Sequence, residues 1–366
     1  MKKITYKQSG VNYEILDPVK KLAQASAALT SKNLSDYGFH ELTDTRGESA
    51  LVWKQNNVYM ASVIEGLGTK NLVADDVEKI TGKNYYENIA QDTVATIIND
   101  LSTMGAKPLS IHALWAVGDN DFYKNNARIK SLVKGWKEAC NLAGATWGGG
   151  ETPTLKGVIE KNAIVLGGSA TGIIKSKKRI ISDKKLKSGD IIILIKSNGI
   201  NANGISLART IAKKLPKGYA TKLKNGKMFG EEILKKSNVY AKLIQNLLDK
   251  NIDIHYIANI TGHGLRKLMR ARFDFTYVIN KIFEPQEIFL FIQKHAGLSD
   301  YEIYGTYNMG QDFAIFVPKK EVQKTLDIIK KNKFKGIEAG FLEKGKKQVI
   351  VNPKNIIYSG DRLDLR

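Results

Sequence analysis

Four acidic residues in the first half of the chain stand beside glycines or polar turn residues. In chain order they are Glu65, Asp92, Asp100 and Glu151. Carboxylate oxygens bind hard divalent cations such as Mg²⁺, and glycine-rich turns let phosphate groups approach the backbone closely. The set therefore predicts a site for a magnesium–nucleotide complex, with all four acids as candidate metal ligands.

The elements that must position these acids follow from the hydrophobic pattern. Two strands, Leu51–Trp53 and Val58–Ile64, read as a hairpin that ends at Glu65. A long amphipathic helix is predicted over Tyr85–Met104, and it carries both Asp92 and Asp100. These two acids are eight residues apart, close to two turns, so they can share one helix face. Further strands are predicted at Leu109–Val117 and Ala163–Ile174, with a helix over 125–143 between them.

A second series of strands and helices follows a basic, polar stretch at 175–187. Strands are predicted at 190–195, 275–279, 312–317 and 348–351, and helices from about 205, over 230–248, over 264–270 and over 320–331. Because strands and helices do not alternate regularly, the pattern favours an α+β fold with two domains. We expect a first domain over 1–177, a second over 178–352 and a C-terminal tail over 353–366.

Charge and length limit the class of protein. The chain has 366 residues, enough for two domains, and 57 Lys and Arg against 36 Asp and Glu give a net charge of +21. Such charge fits nucleic-acid binding. The lysines are spread along the whole chain, however, without an arginine-rich block, so nucleic acid is the less favoured partner.

A single cysteine, Cys140, excludes a disulfide within the chain and a cysteine-based zinc site. The first residues lack the apolar stretch of a signal peptide, and no apolar run is long enough to cross a membrane. We therefore expect a cytoplasmic protein that does not bind membranes.

The motifs, taken in order, resemble those of the aminoimidazole ribonucleotide synthetase family, also called phosphoribosylformylglycinamidine cyclo-ligases. The resemblance covers about residues 5–352. The matching segments are Tyr6–Val11, Gly66-Leu67-Gly68-Thr69-Lys70, Asp92, Asn99-Asp100-Leu101, Met104–Leu109, Gly149-Gly150-Glu151-Thr152, Asn203–Arg209, Ile260-Thr261-Gly262-His263-Gly264, Thr306–Gly310 and a terminal segment over 340–351. Each motif alone is weak, but their order and spacing are specific.

This resemblance implies a fold, an assembly and a reaction. The superfamily also includes selenophosphate synthetase and thiamine-monophosphate kinase. The resemblance implies a mixed α/β N-terminal domain that forms a β-barrel across a homodimer, and a C-terminal α/β-layered domain. The implied reaction is a ligase reaction of purine biosynthesis. Mg–ATP phosphorylates the formyl amide of formylglycinamidine ribonucleotide, and an internal nitrogen then displaces phosphate to close the ring.

The resemblance also assigns roles to individual residues. Glu65, Asp92, Asp100 and Glu151 are the implied metal ligands, and Asp100, Glu151, Asn201 and Lys70 the implied catalytic group. The implied nucleotide contacts are Gly66, Gly68, Thr69, Lys70, Asp92, Asn99, Gly149, Gly150 and Thr152. The implied substrate contacts are Asn203, Gly204, Thr261, Gly262, His263 and Asn308. The segment Tyr6–Val11 is the implied lid over ATP.

Three positions depart from the family pattern. Glu65 stands where the family usually has aspartate, which moves the carboxylate outward by one methylene. Asn201 stands where the family has a histidine, and asparagine forms hydrogen bonds but carries no proton at neutral pH. Asp312 stands where the family has glycine. These departures bear on the substrate more than on the fold or on the use of ATP.

Two other functions therefore remain open. One is a paralogue that uses Mg–ATP to activate or phosphorylate a different small substrate, which Asn201 and Asp312 favour. The other is a nucleotide-binding or nucleic-acid-binding protein without turnover, which the high positive charge favours. The acidic set speaks against the second, because a simple phosphate binder gains nothing from four carboxylates.

Overall fold

The structure is a computed structural model that describes residues 3–4, 7–10 and 12–360. The α-helices within these residues are α1 (Tyr13–Ala28), α2 (Lys70–Thr81), α3 (Tyr86–Thr103), α4 (Asn126–Ala143), α5 (Ile205–Lys214), α6 (Phe229–Ile233), α7 (Ala241–Asp249), α8 (Glu287–Ala296), α9 (Asp300–Tyr304) and α10 (Val322–Lys331). Short 3₁₀ helices join several elements, including one over Gly264–Arg270. None of the described helices is long and apolar enough to cross a membrane.

The first half of the chain forms a six-stranded sheet with the order β1-β2-β3-β6-β4-β5. Its strands are β1 (His40–Glu41), β2 (Leu51–Gln55), β3 (Val58–Gly66), β4 (Lys107–Val117), β5 (Thr146–Glu151) and β6 (Ile164–Ile174). Neighbouring strands are antiparallel except for the β4–β5 pair. Two acids end strands in this sheet, because Glu65 is next to the last residue of β3 and Glu151 is the last residue of β5.

The second half forms a seven-stranded sheet with the order β13-β12-β9-β11-β7-β10-β8. Its strands are β7 (Ile191–Lys196), β8 (Tyr256–Asn259), β9 (Phe275–Ile279), β10 (Gln311–Val317), β11 (Gly336–Lys344), β12 (Gln348–Val351) and β13 (Ile356–Ser359). Only the β12–β9 pair is parallel. Strand β13 lies within the stretch 353–366 that the sequence analysis set apart as a tail. The two sheets with their helices confirm the α+β class.

Helix α3 is the central element of the first half. It packs on β3 and β6 with one face and on α4 with another, and most of its residues are buried. Its apolar residues, among them Ile98 and Leu101, share one hydrophobic core with residues of the second half such as Ile260. The helix predicted over Tyr85–Met104 is thereby confirmed, and it lies in the hydrophobic core that the two halves share.

The helix predicted over 230–248 is wrong as a single element. It is divided into α6 and α7, and residues 234–240 between them run without helical structure. Their backbone groups are instead hydrogen-bonded to polar side chains of α3, such as Asn88 and Gln91, at 2.8 Å each. Tertiary hydrogen bonds have here replaced the helical ones that the local pattern favours.

Helix α2 was not predicted; it begins at Lys70, the last residue of the Gly66-Leu67-Gly68-Thr69-Lys70 motif. The predicted lid over Tyr6–Val11 lies partly outside the described residues. Of that segment, residues 7–9 form one 3₁₀ turn.

Candidate functional site

One cavity of about 590 Å³ gathers residues from both halves of the chain. Ten of the predicted site residues line it: Glu65, Gly66, Gly68, Thr69, Asp100, Asn203, Gly204, Thr261, Gly262 and His263. They come from the end of β3 and the loop that follows it, from α3, from the turn before α5 and from the turn after β8. The fold thus brings together segments that are up to about two hundred residues apart in sequence.

Two helices begin at this cavity. Thr69 precedes α2 and Gly204 precedes α5, and neither helix has a side-chain hydrogen bond to cap its first turn. Helix N-termini carry free backbone N–H groups and a partial positive charge, which together favour bound anions. The cavity therefore offers two sets of backbone donors to phosphate groups.

Gly204 is required by the shape of its turn. Its φ of +78° lies in the left-handed region, and an added Cβ would lie 2.0 Å from Cε1 of Tyr307. The Tyr307 hydroxyl also donates a hydrogen bond to the Gly204 carbonyl at 2.6 Å. This contact fixes the turn at the start of α5 to the segment that precedes β10.

Glu65 and Asp100 are the two predicted metal ligands that share this cavity. Burial, with the charge of Asp100, raises the pKa of Glu65 to about 7. Asp100 Oδ1 accepts a hydrogen bond from Nδ2 of Asn259 at 2.7 Å. Two neighbouring carboxylates with this mutual repulsion suit a divalent cation, because its charge would favour both ionised forms.

His263 lies in the turn between β8 and the 3₁₀ helix, with a φ of +72°. Burial, with the charges of Lys267 and Arg266, lowers the pKa of His263 to about 3. Its imidazole is therefore neutral at physiological pH. It can form hydrogen bonds with a ligand in the cavity, but it carries no charge to offer a phosphate.

Lys70 and Asp92 are placed differently from the predicted contacts with phosphate and metal. Both side chains are fully buried, and Lys70 Nζ lies 2.6 Å from Asp92 Oδ2. Lys70 also donates to the carbonyl of Lys235 at 3.1 Å, and Asp92 accepts from the amide of Ser237 at 2.6 Å. In this arrangement the two side chains connect α2 and α3 to segment 234–240, and a ligand cannot reach them.

Asn99 has a similar structural position. Its side chain donates to the carbonyl of Asn238 and accepts from the amide of Tyr240, both at 2.9 Å. Asn99 is buried and does not line the cavity. Its predicted contact with the nucleotide would therefore require segment 234–240 to move.

Glu151 and Gly150 line a second pocket, of about 710 Å³, on the first sheet. Glu65 and Gly66 line both this pocket and the first cavity, so β3 connects the two. Gly149 and Thr152 line neither of them. Among the described residues, no three carboxylate, imidazole or thiol groups gather closely enough to bind a metal ion. Of the four predicted metal ligands, Glu65 and Asp100 therefore line the first cavity, Asp92 is buried, and Glu151 lines the second pocket.

Asn201 and Asp312, two of the departures from the family pattern, are direct partners. Asn201 Nδ2 donates to Asp312 Oδ1 at 2.6 Å, and Tyr240 and Asn238 donate to Asp312 Oδ2 at 2.6 and 3.2 Å. Asn308 Nδ2 donates to Gly199 O at 3.0 Å and approaches Asp312 Oδ1 at 3.4 Å. Asn308 is therefore hydrogen-bonded to the turn that precedes Asn203. It is buried and does not line the cavity.

Sequence reasoning missed the basic side chains of this cavity. Lys20 of α1 lines it, as do Lys267 and Arg270 of the 3₁₀ helix. Burial, with the neighbouring charge of Arg270, lowers the pKa of Lys267 to about 8. The available signal was the basic stretch that directly follows the Thr261-Gly262 turn.

The comparisons with known proteins agree with this architecture. The AIR synthase related protein N-terminal domain matches residues 47–174, and the corresponding C-terminal domain matches residues 187–352. The chain therefore belongs to the family of AIR synthase related proteins. Among its curated relatives is the phosphoribosylformylglycinamidine cyclo-ligase of Clostridium perfringens (strain 13 / Type A), which is 33% identical over 95% of this chain and 99% of its own. That of Carboxydothermus hydrogenoformans is 31% identical over 96% of this chain and 100% of its own.

Solved structures share the fold at much lower sequence identity. A HypE–HypF complex aligns with a TM-score of 0.60 and 19% identity, covering 87% of this chain and 93% of the matched chain. T. maritima PurL complexed with ATP aligns with a TM-score of 0.55 and 13% identity, covering 86% of this chain and 45% of its own. At these identities the comparison concerns the fold alone.

Proposed function

We propose that this protein is an ATP-dependent phosphoribosylformylglycinamidine cyclo-ligase of purine biosynthesis, acting in the cytoplasm. It converts formylglycinamidine ribonucleotide to aminoimidazole ribonucleotide and releases ADP and phosphate. The observation that carries the proposal is the single cavity in which ten residues of four separate motifs meet. Similarity to cyclo-ligases over nearly the whole chain supports it.

The residues of the cavity suit a reaction that requires binding and positioning more than a protein nucleophile. The N-termini of α2 and α5 would orient phosphate groups through backbone N–H donors. Neutral His263 and the Thr261-Gly262 turn would form hydrogen bonds with the ribonucleotide. Glu65 and Asp100 would hold Mg²⁺, which supplies neutralisation of the triphosphate charge when it is bound.

A second candidate function is the activation of another small substrate by Mg–ATP. The hydrogen bond between Asn201 and Asp312 favours this second function. The family resemblance implies a histidine and a glycine at these two positions, and this chain has an amide and a buried carboxylate there instead. The nucleotide side of the cavity would be the same in both functions. Only the group that accepts the phosphoryl would differ.

The test is to measure ADP release and aminoimidazole product with Mg–ATP and formylglycinamidine ribonucleotide. We expect product from the wild type, and loss of turnover without loss of fold in Asp100→Asn and Glu151→Gln. Asp327→Asn, which changes an exposed carboxylate on α10, is the matched control. ATP binding without product would favour the paralogue. Unchanged ATP hydrolysis in both Asp100→Asn and Glu151→Gln would contradict the assigned metal site. ATP binding with neither product nor hydrolysis would indicate a non-catalytic nucleotide binder.

We also propose that the protein is a homodimer through the open face of its first sheet. Three apolar side chains on neighbouring strands of that face are exposed: Ile64 by 75%, Val165 by 48% and Leu114 by 38%. Contiguous exposed apolar residues mark interaction surfaces. Sedimentation analysis of the wild type and of Ile64→Lys tests this, and a wild type that sediments as a monomer would contradict it.

A further inference from the structure

Among the described residues, three basic side chains line the candidate cavity, and two of them are already bonded to the protein. Arg270 donates to the Gly47 carbonyl at 2.8 and 3.2 Å and to Ser49 Oγ at 3.1 Å. Lys20 Nζ lies 3.1 Å from Oδ1 of Asp17, which is in the same helix. The cationic groups of these two residues therefore have protein partners.

Lys267 differs from both. It is half-buried and lines the cavity, and across the described ranges no hydrogen bond or ion pair involves its ammonium group. The carboxylates of Glu65 and Asp100 are near enough to favour its charged form, while Arg270 and Lys20 oppose it. A half-buried ammonium group without a bonded partner loses hydration, and an anionic ligand would replace that hydration.

The sequence motif predicts a cation of this kind at the site. The glycine-rich motif before α2 predicts that Lys70 contacts phosphate, yet Lys70 is fully buried against Asp92. Lys267 lines the same cavity as Gly68 and Thr69 of that motif. A lysine from the second half of the chain is thus available where the lysine of the motif is not.

We propose that Lys267 is the cation that contacts a phosphate group of the ligand in this cavity, in the role that the sequence motif assigns to Lys70. The inference rests on the proposed function, since it presumes a phosphate-bearing ligand. The backbone donors at the starts of α2 and α5 would bind other oxygens of the ligand's phosphates. Charge-assisted hydrogen bonds of this kind are among the stronger polar contacts in proteins.

Two phosphates could be the partner, the triphosphate of ATP or the single phosphate of a ribonucleotide. Titration calorimetry with Mg–ATP and, separately, with ribose 5-phosphate distinguishes them. The variants are Lys267→Met, which removes the charge, and Lys267→Arg, which keeps it. Lys185→Met is the matched control, because Lys185 is also half-buried with its pKa lowered by burial, and it lies outside the cavity lining.

We expect Lys267→Met to weaken one of the two probes by roughly tenfold to hundredfold, as for loss of a charged hydrogen bond. Lys267→Arg should keep most of the affinity, and Lys185→Met should bind as the wild type does. The weakened probe identifies the phosphate. Wild-type affinity of Lys267→Met for both probes, an equal loss in Lys185→Met, or a wild type that binds neither probe would overturn the proposal.

The turnover assay separates this inference from the proposed function. A wild type that forms aminoimidazole product, together with unchanged binding by Lys267→Met, would refute the role of Lys267 alone. A wild type without cyclo-ligase activity, together with a large loss of phosphate binding in Lys267→Met, would support Lys267 and refute the proposed reaction. Thermal unfolding of each variant shows whether the binding loss occurs in folded protein.

Discussion

Replacing Asp312 with asparagine should change the pH dependence of stability in a defined way. Asp312 is 2% exposed, and no cation among the described residues forms an ion pair with it. Burial raises the pKa of Asp312 from 3.8 to about 6, although hydrogen bonds from Tyr240, Asn201 and Asn238 oppose the rise. The folded protein therefore binds a proton at this carboxyl more tightly than the unfolded chain does.

The sign and size of the effect follow from linkage between folding and protonation. A raised pKa contributes stability below pH 4, and that contribution is lost as the pH rises through about 6. The difference between 3.8 and about 6 corresponds to about 3 kcal/mol in all, of which about 1 kcal/mol is lost between pH 5 and pH 7. Asp312→Asn has no titrating group here and does not lose this contribution.

Urea unfolding of wild type and Asp312→Asn at pH 5 and at pH 7 measures the difference. At either pH the variant also loses hydrogen-bond acceptors for donors such as Tyr240, but this cost does not depend on pH. The free energy of unfolding of the variant, relative to wild type, should therefore rise by about 1 kcal/mol from pH 5 to pH 7. Asp327→Asn on the surface is the control. A relative free energy that is the same at both pH values, or that falls, would refute a raised pKa at Asp312.

Two substitutions and one labelling experiment test the packing of the protein. Lys70→Met should lower the free energy of unfolding by about 3–5 kcal/mol, because it leaves Asp92 buried without its partner; a loss in urea titration below about 1 kcal/mol would contradict this. Since burial raises the pKa of Cys140 to about 12, iodoacetamide should label it only in denaturant, and rapid labelling of native protein would be the contrary result. Gly204→Ala should lower the melting temperature and weaken ligand binding, because its Cβ would overlap the Tyr307 ring; calorimetry showing an unchanged melting temperature would exclude that overlap.

Much of the fold could be predicted because its signals are local. The helix over Tyr86–Thr103 has a sustained helical pattern, and the hairpin of β2 and β3 has two apolar runs joined by a polar turn. The order of the motifs also identified ten residues that share one cavity. For the helix and the hairpin, the chain segment itself carries the information that determines its structure, whereas the ten cavity residues follow from the family resemblance.

The remaining features depend on contacts between distant segments. A glycine-rich motif indicates that a lysine lies near phosphate, but it does not indicate that the Lys70 side chain turns toward Asp92. The break of the predicted helix at 234–240 arises from polar side chains of α3 that local periodicity does not include. The partnership of Asn201 with Asp312 joins positions 111 residues apart, and pattern reasoning treated them as separate departures.

The hydrogen bonds between α3 and segment 234–240 have a consequence for how the protein can be divided. Asn88, Gln91 and Asn99 each donate a hydrogen bond to a backbone carbonyl of that segment, at 2.8–2.9 Å. A fragment that ended near residue 177 would expose these amides and the buried charges of Lys70 and Asp92 to solvent. The two sheets should therefore unfold in one cooperative transition, and neither half of the gene should yield a well-folded product when expressed alone.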